Sequence, residues 1–309
     1  MNIQTTRRDF VRHALEAGLT LAGYSWLQPV SALAVEPIKR PGSARLALSL
    51  AAYSFRQYFD HADATKRISL FDFIDYCADH GCAGTELTSY YFPKDVTTDL
   101  LVQLRRHAFL RGLAVSGTAV GNNFTLPKGE KRDQQIASVK KWIEYAAVMT
   151  APHIRVFAGS AGSLSKSEAK NLAIAALEEC AEYAGKKGIF LGLENHGGIV
   201  AEPADLLGIL RSVRSPWLGI NLDTGNFQTD DPYRDLAACA PYAVNVQFKS
   251  EITLSGQKTG LADLPRLAGI LRDANYQGYV ALEYEAAEDP FQAVPDLLKR
   301  LRELFEPRS

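Results

Sequence analysis

Short apolar runs that stop abruptly at a polar side chain recur along this chain, and stretches with helical spacing separate them. The clearest is Gly188-Ile-Phe-Leu-Gly-Leu-Glu-Asn-His-Gly-Gly198. Ile189 to Leu193 has the continuous hydrophobicity of a strand covered on both faces, and the glycine pair after His196 lets the backbone turn away. Leu218-Gly-Ile-Asn-Leu-Asp223, Ala243-Val-Asn-Val-Gln247 and Tyr279-Val-Ala-Leu-Glu283 repeat the device, each ending on an oxygen-bearing side chain. Upstream, Arg45 to Ser54, Gly84 to Leu87, Leu113 to Gly117 and His153 to Phe157 read as strands. Between them the spacing predicts helices over 70–80, 97–111, 131–149, 165–187, 203–211, 232–238, 261–274 and 291–305. Gly81 and Gly112 stop the first two, and Ser165 with Glu168 forms a capping-box pattern.

Strict alternation of strand and helix favours a parallel sheet with right-handed crossovers. Eight units suit closure into a (β/α)8 TIM barrel, and 309 residues suit one large domain of this kind. An open doubly wound sheet shares the alternation, but no Gly-x-Gly-x-x-Gly turn follows the first strand. Polar residues at the C-terminal strand ends would then face one mouth.

Composition adds exclusions. The chain is 22% charged and 47% hydrophobic with a formal net charge of -1, an ordinary globular balance with no large basic surface for nucleic acid. Cys77, Cys82, Cys180 and Cys239 are scattered without metal-type pairing. Buried reduced thiols are the favoured reading, and a disulfide stays open because export is expected. Thr5-Thr-Arg-Arg-Asp-Phe-Val11, the apolar stretch Ala14 to Leu27 and the small-x-small site Ala32-Leu-Ala34 together resemble a twin-arginine signal. The expected organisation is a signal over 1–34, a Pro/Gly-containing linker over 35–44 and a barrel over 45–309, with the mature protein in the periplasm. No later run reaches the length of a membrane span.

Leu193-Glu-Asn-His196, Asn221-Leu-Asp-Thr-Gly-Asn226, Val246-Gln-Phe-Lys249 and Ala281-Leu-Glu-Tyr-Glu285 resemble the sugar phosphate isomerase/epimerase family, the xylose-isomerase-like barrels. The resemblance covers Arg45 to the C-terminus. It implies a divalent metal on Glu194, Asp223, Gln247 and Glu283, at the ends of strands five to eight. Three converging carboxylates would repel one another unless a cation neutralised them, and an all-oxygen set favours Mn²⁺ or Mg²⁺. Gln247 departs from the histidine usual in the family's epimerases, and Asn226 stands where they tend to carry a substrate-binding histidine.

By the same resemblance Glu194 and Glu283 are the proton-transferring pair of a sugar isomerase or epimerase. His196 and Lys249 lie two residues beyond Glu194 and Gln247, so strand alternation points them toward the same mouth as acid/base or oxyanion-holding candidates. Tyr53, Glu86, Arg155 and Asn226, at or just past strand ends, are candidate substrate contacts. A structural ion pair between Glu86 and Arg155 is the competing reading. The expected partner is a small carbohydrate, with no nucleic acid or membrane and with homo-oligomerisation open. Two further functions stay beside the isomerase: a lyase or dehydratase eliminating a β-substituent from a keto sugar or inosose, and a non-catalytic carbohydrate-binding barrel. A multi-zinc endonuclease is disfavoured, since only six histidines are present and none but His196 falls in the metal motifs.

Overall fold

The computed structural model describes residues 35–306. Eight parallel strands close into a barrel: β1 (Arg45–Ala51), β2 (Gly84–Thr88), β3 (Ala114–Ala119), β4 (His153–Val156), β5 (Phe190–Glu194), β6 (Leu218–Asp223), β7 (Ala243–Phe248) and β8 (Gln277–Leu282). Each pairs with its neighbour in sequence, and β8 returns to β1 in a register running from Gln277 beside Arg45 to Leu282 beside Leu50. Eight longer helices alternate with them: α1 (Leu70–Asp79), α2 (Thr98–Leu110), α3 (Glu130–Met149), α4 (Lys166–Lys186), α5 (Pro203–Ser212), α6 (Pro232–Cys239), α7 (Leu264–Asp273) and α8 (Pro290–Phe305).

The capping box expected at Ser165 and Glu168 starts α4, and Ser69 with Asp72 makes a second at α1. In α5 to α8 a proline occupies the first turn, where its missing N–H would have had no intrahelical partner. Helix faces such as Phe73, Ile74 and Cys77 of α1 or Leu101 and Leu104 of α2 are buried in the main apolar core.

The lumen is different in character. Ser49 of β1 meets Ser116 of β3 at 2.7 Å, and Asn245 of β7 donates to Glu86 of β2 at 3.0 Å. Those strands are not neighbours, so the contacts cross the barrel interior. Two register shifts serve this polar lumen, one beside Glu86 in the β2/β3 pairing and one beside Asn221 in the β6/β7 pairing. A shift of this kind re-aims a side chain. Here the second sets Asn221 beside Asn245 and Asp223 beside Gln247.

Several boundaries differ from the sequence expectation, three of them with consequences for the fold. β1 ends at Ala51 rather than Ser54, because the chain turns into short helical segments over Ala52–Phe55 and Arg56–Phe59. The Ser54 hydroxyl then accepts from the Tyr284 backbone N–H at 2.9 Å, tying this turn to the end of β8. β3 runs on to Ala119 rather than stopping at Gly117. α7 starts at Leu264, and the residues before it form an antiparallel ribbon of Glu251–Ile252 with Gly260–Leu261, too short to carry an apolar period. All four cysteines are free and buried. The expected signal over 1–34 lies outside the described residues, among which no helix is long and apolar enough to cross a membrane.

Candidate functional site

Glu194 closes β5, Asp223 closes β6, Gln247 is the penultimate residue of β7 and Glu283 directly follows β8, so the closed sheet delivers all four to one end of the barrel. Asn195 fixes the middle of the set. Its amide donates to the Asp223 carbonyl and accepts from the Asp223 N–H, both at 2.9 Å, which extends the β5/β6 ladder by a side chain. All of these groups are buried.

Below them a chain of amides runs across the lumen. Asn245 Nδ2 donates to Glu86 Oε2 at 3.0 Å and to Asn221 Oδ1 at 2.8 Å; Asn221 Nδ2 donates to Gln247 Oε1 at 2.7 Å. Gln247 Nε2 then donates to Glu86 Oε1 at 3.1 Å and Glu283 Oε1 at 3.2 Å. An ionised carboxylate only accepts, so Glu86 sets the direction of every amide in the chain. Burial alone would raise the Glu86 carboxyl, but His153, Arg155 and Gln247 more than offset it and hold it below its usual range. His153 Nε2 lies 3.8 Å from Glu86, in the space left by Gly117, where any Cβ would overlap the imidazole.

Two protein cations meet the remaining carboxylates. Lys249 Nζ lies 2.7 Å from Glu283 Oε2 and 3.3 Å from Asp223 Oδ2, and it pairs with Glu285. Arg155 Nε lies 2.9 Å from Glu194 Oε2, while its Nη1 donates to the Val120 carbonyl at 3.1 Å and its guanidinium stacks over Phe157. Asn226 Nδ2 donates to the other Glu194 oxygen at 2.8 Å. The Arg155–Glu194 approach is close but misdirected for a hydrogen bond. Arg155 Nε and Glu194 Oε2 are thus buried without a hydrogen-bond partner in the structure, and Asp223 Oδ2 has only the ion-pair contact of Lys249.

The electrostatics follow from burial and these pairs. Burial raises the Glu194 carboxyl well above its ordinary value against the opposing charge of Arg155, with Asp223 and Glu283 adding to the rise. Asp223 is raised by burial despite Lys249, and Glu283 is pushed up to about 7, again mainly by burial. Burial opposes the Lys249 ammonium, yet Asp223, Glu283 and Glu285 outweigh it and hold the group firmly protonated. His196 is lowered, first by burial and then by Arg155, so it is neutral near pH 7.

A cavity of about 260 Å³ opens over this layer, lined by Tyr53, Tyr90, Arg155, Phe157, Glu194, His196, Asn226, Lys249, Glu283 and Glu285. Of the residues singled out in the sequence, Tyr53, Arg155, Glu194, His196, Asn226, Lys249 and Glu283 share its wall. Asp223, Gln247 and Glu86 do not, and Glu86, fully buried, pairs with the amide chain and not with Arg155. Sequence reasoning missed Tyr90, Phe157 and Glu285. For two of them the signal was present: Phe157 lies two residues beyond Arg155 and Glu285 two beyond Glu283, the same alternation that singled out His196 and Lys249.

The four side chains expected to share a divalent ion do not fit one as they stand. Gln247 shows its N–H, not its oxygen, to Glu283, and its oxygen is turned to Asn221. Lys249 already stands among Asp223, Glu283 and Glu285.

Similarity to known proteins supports the fold. The solved structures it resembles include 3-keto-D-glucoside 4-epimerase YcjR from E. coli, with TM-score 0.62, 20% identity, and 84% of this chain and 99% of that one covered. D-psicose 3-epimerase in the presence of D-fructose superposes with TM-score 0.64 at 15% identity, covering 84% of this chain and 94% of the other. The probable 3-DHS dehydratase AsbF from Bacillus anthracis gives TM-score 0.60 at 17% identity over 85% and 100%. No curated protein matches the chain in sequence. The family model described as xylose isomerase-like TIM barrel matches residues 74–304, three quarters of the chain, and the protein belongs to that family.

Proposed function

We propose that the protein is an enzyme that moves a proton next to the carbonyl of a free sugar or keto sugar, as an isomerase or epimerase. The observation that carries the reading is the shared wall of one sugar-sized cavity: Glu194 and Glu283, from β5 and the end of β8, with the cations Arg155 and Lys249 beside them. Two carboxylates reaching one cavity from different strands suit removal of a proton on one side of a carbon and its return on the other. Burial keeps both carboxyls basic enough for that work. A cation near the carbonyl oxygen lowers the cost of the enolate that forms. Tyr53, Tyr90 and Phe157 supply aromatic surface to the wall for the apolar side of a sugar, while Asn226 and His196 supply polar groups to it. The epimerases among the structural neighbours agree with this chemistry.

Elimination from a keto sugar is the second reading, favoured by one feature. Lys249, a protonated acid, stands 2.7 Å from Glu283, so a base and a donor for a departing oxygen sit side by side. The experiment is to incubate the mature protein with aldoses, ketoses, inososes and keto-glycosides in deuterated water and follow the ¹H spectrum. Exchange of a C–H beside the carbonyl supports proton transfer, and loss of water or an aglycone assigns elimination. Saturable sugar binding with no exchange in any member would leave the binding barrel as the function.

A further inference from the structure

We infer that the fixed positive charge of this site is the ammonium of Lys249 rather than a divalent metal ion. The inference deepens the proposed proton transfer and takes its substrate class from that reading, but its structural grounds are separate.

The first ground is the polarity of the amide chain. Glu86 accepts from Asn245 and from Gln247, Asn245 donates to Asn221, and Asn221 donates to Gln247 Oε1. Turning Gln247 to offer its oxygen toward Glu283 would set that oxygen against two carboxylates, Glu86 and Glu283. It would also set its NH₂ against the NH₂ of Asn221. All three contacts would become repulsive, so the fourth oxygen of a metal shell is held away from the other three by a network anchored on the far side of the lumen.

The second ground is the place made for Lys249. Its backbone N–H donates to Thr224 Oγ1 at 2.8 Å, and its stem crosses Gly225, where a Cβ would meet Lys249 Cγ at 2.8 Å and the Glu251 carbonyl at 3.0 Å. Glycine at 225 therefore clears the path along which the side chain reaches Asp223, Glu283 and Glu285. Lys249 is 7% exposed and lines the cavity. A metal bound by Asp223 and Glu283 would have to displace it and leave a buried ammonium beside a dication.

In the reaction, a glutamate takes the C–H proton, the C–H electron pair becomes a C=C bond to the carbonyl carbon, and the C=O π pair moves onto oxygen, which gathers the negative charge. Lys249 donates a hydrogen bond to that oxygen; the C=C pair then takes up a proton at carbon and the oxygen pair restores the C=O bond. Nothing is oxidised or reduced.

The test reads metal binding apart from turnover. Wild-type protein exposed to Mn²⁺ and desalted should retain well under one ion per chain, and EDTA should leave its Tm unchanged. Lys249→Ala removes the charge that competes for Asp223, Glu283 and Glu285, and should bind Mn²⁺ at least roughly tenfold more tightly than wild type by electron paramagnetic resonance. With an exchanging sugar in hand, EDTA should not slow wild-type exchange, and Lys249→Met should slow it about 10²-fold or more, with Lys249→Arg recovering part of the loss. Stoichiometric Mn²⁺, Mg²⁺ or Zn²⁺ in the wild type, or a Tm lowered by EDTA, would overturn the inference whether or not the variants fold. Exchange undiminished in folded Lys249→Met would overturn it equally. If no sugar exchanges with wild type, the proton-transfer reading fails, while ion content and Tm still decide the role of Lys249.

Discussion

Arg155 and Glu194 stand 2.9 Å apart at the ends of neighbouring strands β4 and β5, nearly excluded from solvent, yet the facing atoms Nε and Oε2 make no hydrogen bond in the structure. The pair keeps one donor and one acceptor unused at the cavity wall, and the charge of Arg155 opposes the rise that burial imposes on the Glu194 carboxyl. Removing Arg155 alone leaves the Glu194 carboxyl buried without the charge that opposes its rise, which costs more than removing both groups. Arg155→Met should destabilise the protein by about 3–5 kcal/mol, and Arg155→Met combined with Glu194→Gln by clearly less. Urea unfolding of the two single variants and the double variant measures this; additive losses would show that the two charges do not depend on each other.

Glu194→Gln and Glu283→Gln should each lower sugar C–H exchange by about 10²–10⁴ if the two carboxylates serve opposite faces of the substrate. An elimination served by one base predicts one severe variant and one mild one. Sugar binding, measured calorimetrically in the same samples, should survive both changes. Full exchange in both variants would hand the base role to another group on the wall, with His196 the nearest candidate because it is held neutral.

Gly117→Ala should be strongly destabilising, since the added methyl would overlap the buried His153 ring that flanks Glu86. Gly208→Ala, inside α5 with open space around its Cβ position, should instead stabilise by up to about 1 kcal/mol. Melting temperatures of the two variants should move in opposite directions. A fall in both would show that the open space beside Gly208 is filled in solution.

Export is the fourth expectation, carried by Arg7 and Arg8 in residues the structure does not describe. Replacing both by lysine should leave the precursor inside the cell, whereas the parent protein should be recovered outside the cytoplasm beginning near Val35. Equal amounts of mature protein from the two forms would show that the arginine pair does not direct export.

The apolar runs ending in Glu194, Asp223, Gln247 and Glu283, together with the four upstream runs, were enough to give eight strand-helix units and one polar mouth. Parallel strands must bury both faces, so they write themselves as short continuous apolar segments, and their ends become visible where polarity returns. Period-two alternation likewise reached His196 and Lys249, and applied evenly it would have reached Phe157 and Glu285.

Tertiary structure decided what each of those side chains faces. That Asn245 of β7 meets Glu86 of β2 depends on closing the barrel, and that Asn221 stands beside Asn245 depends on a register shift no local pattern announces. From the sequence, Gln247 was an oxygen near three carboxylates and Lys249 a residue two places further on. In the folded chain Gln247 is an N–H donor to Glu283, because the direction of an amide is set by its neighbours' donors and acceptors and not by its own identity. Lys249 is the cation among Asp223, Glu283 and Glu285, because Gly225, 24 positions earlier, leaves room for its stem. Residue types and spacing are local properties of a chain; hydrogen-bond direction and charge pairing across a lumen exist only once distant strands have met.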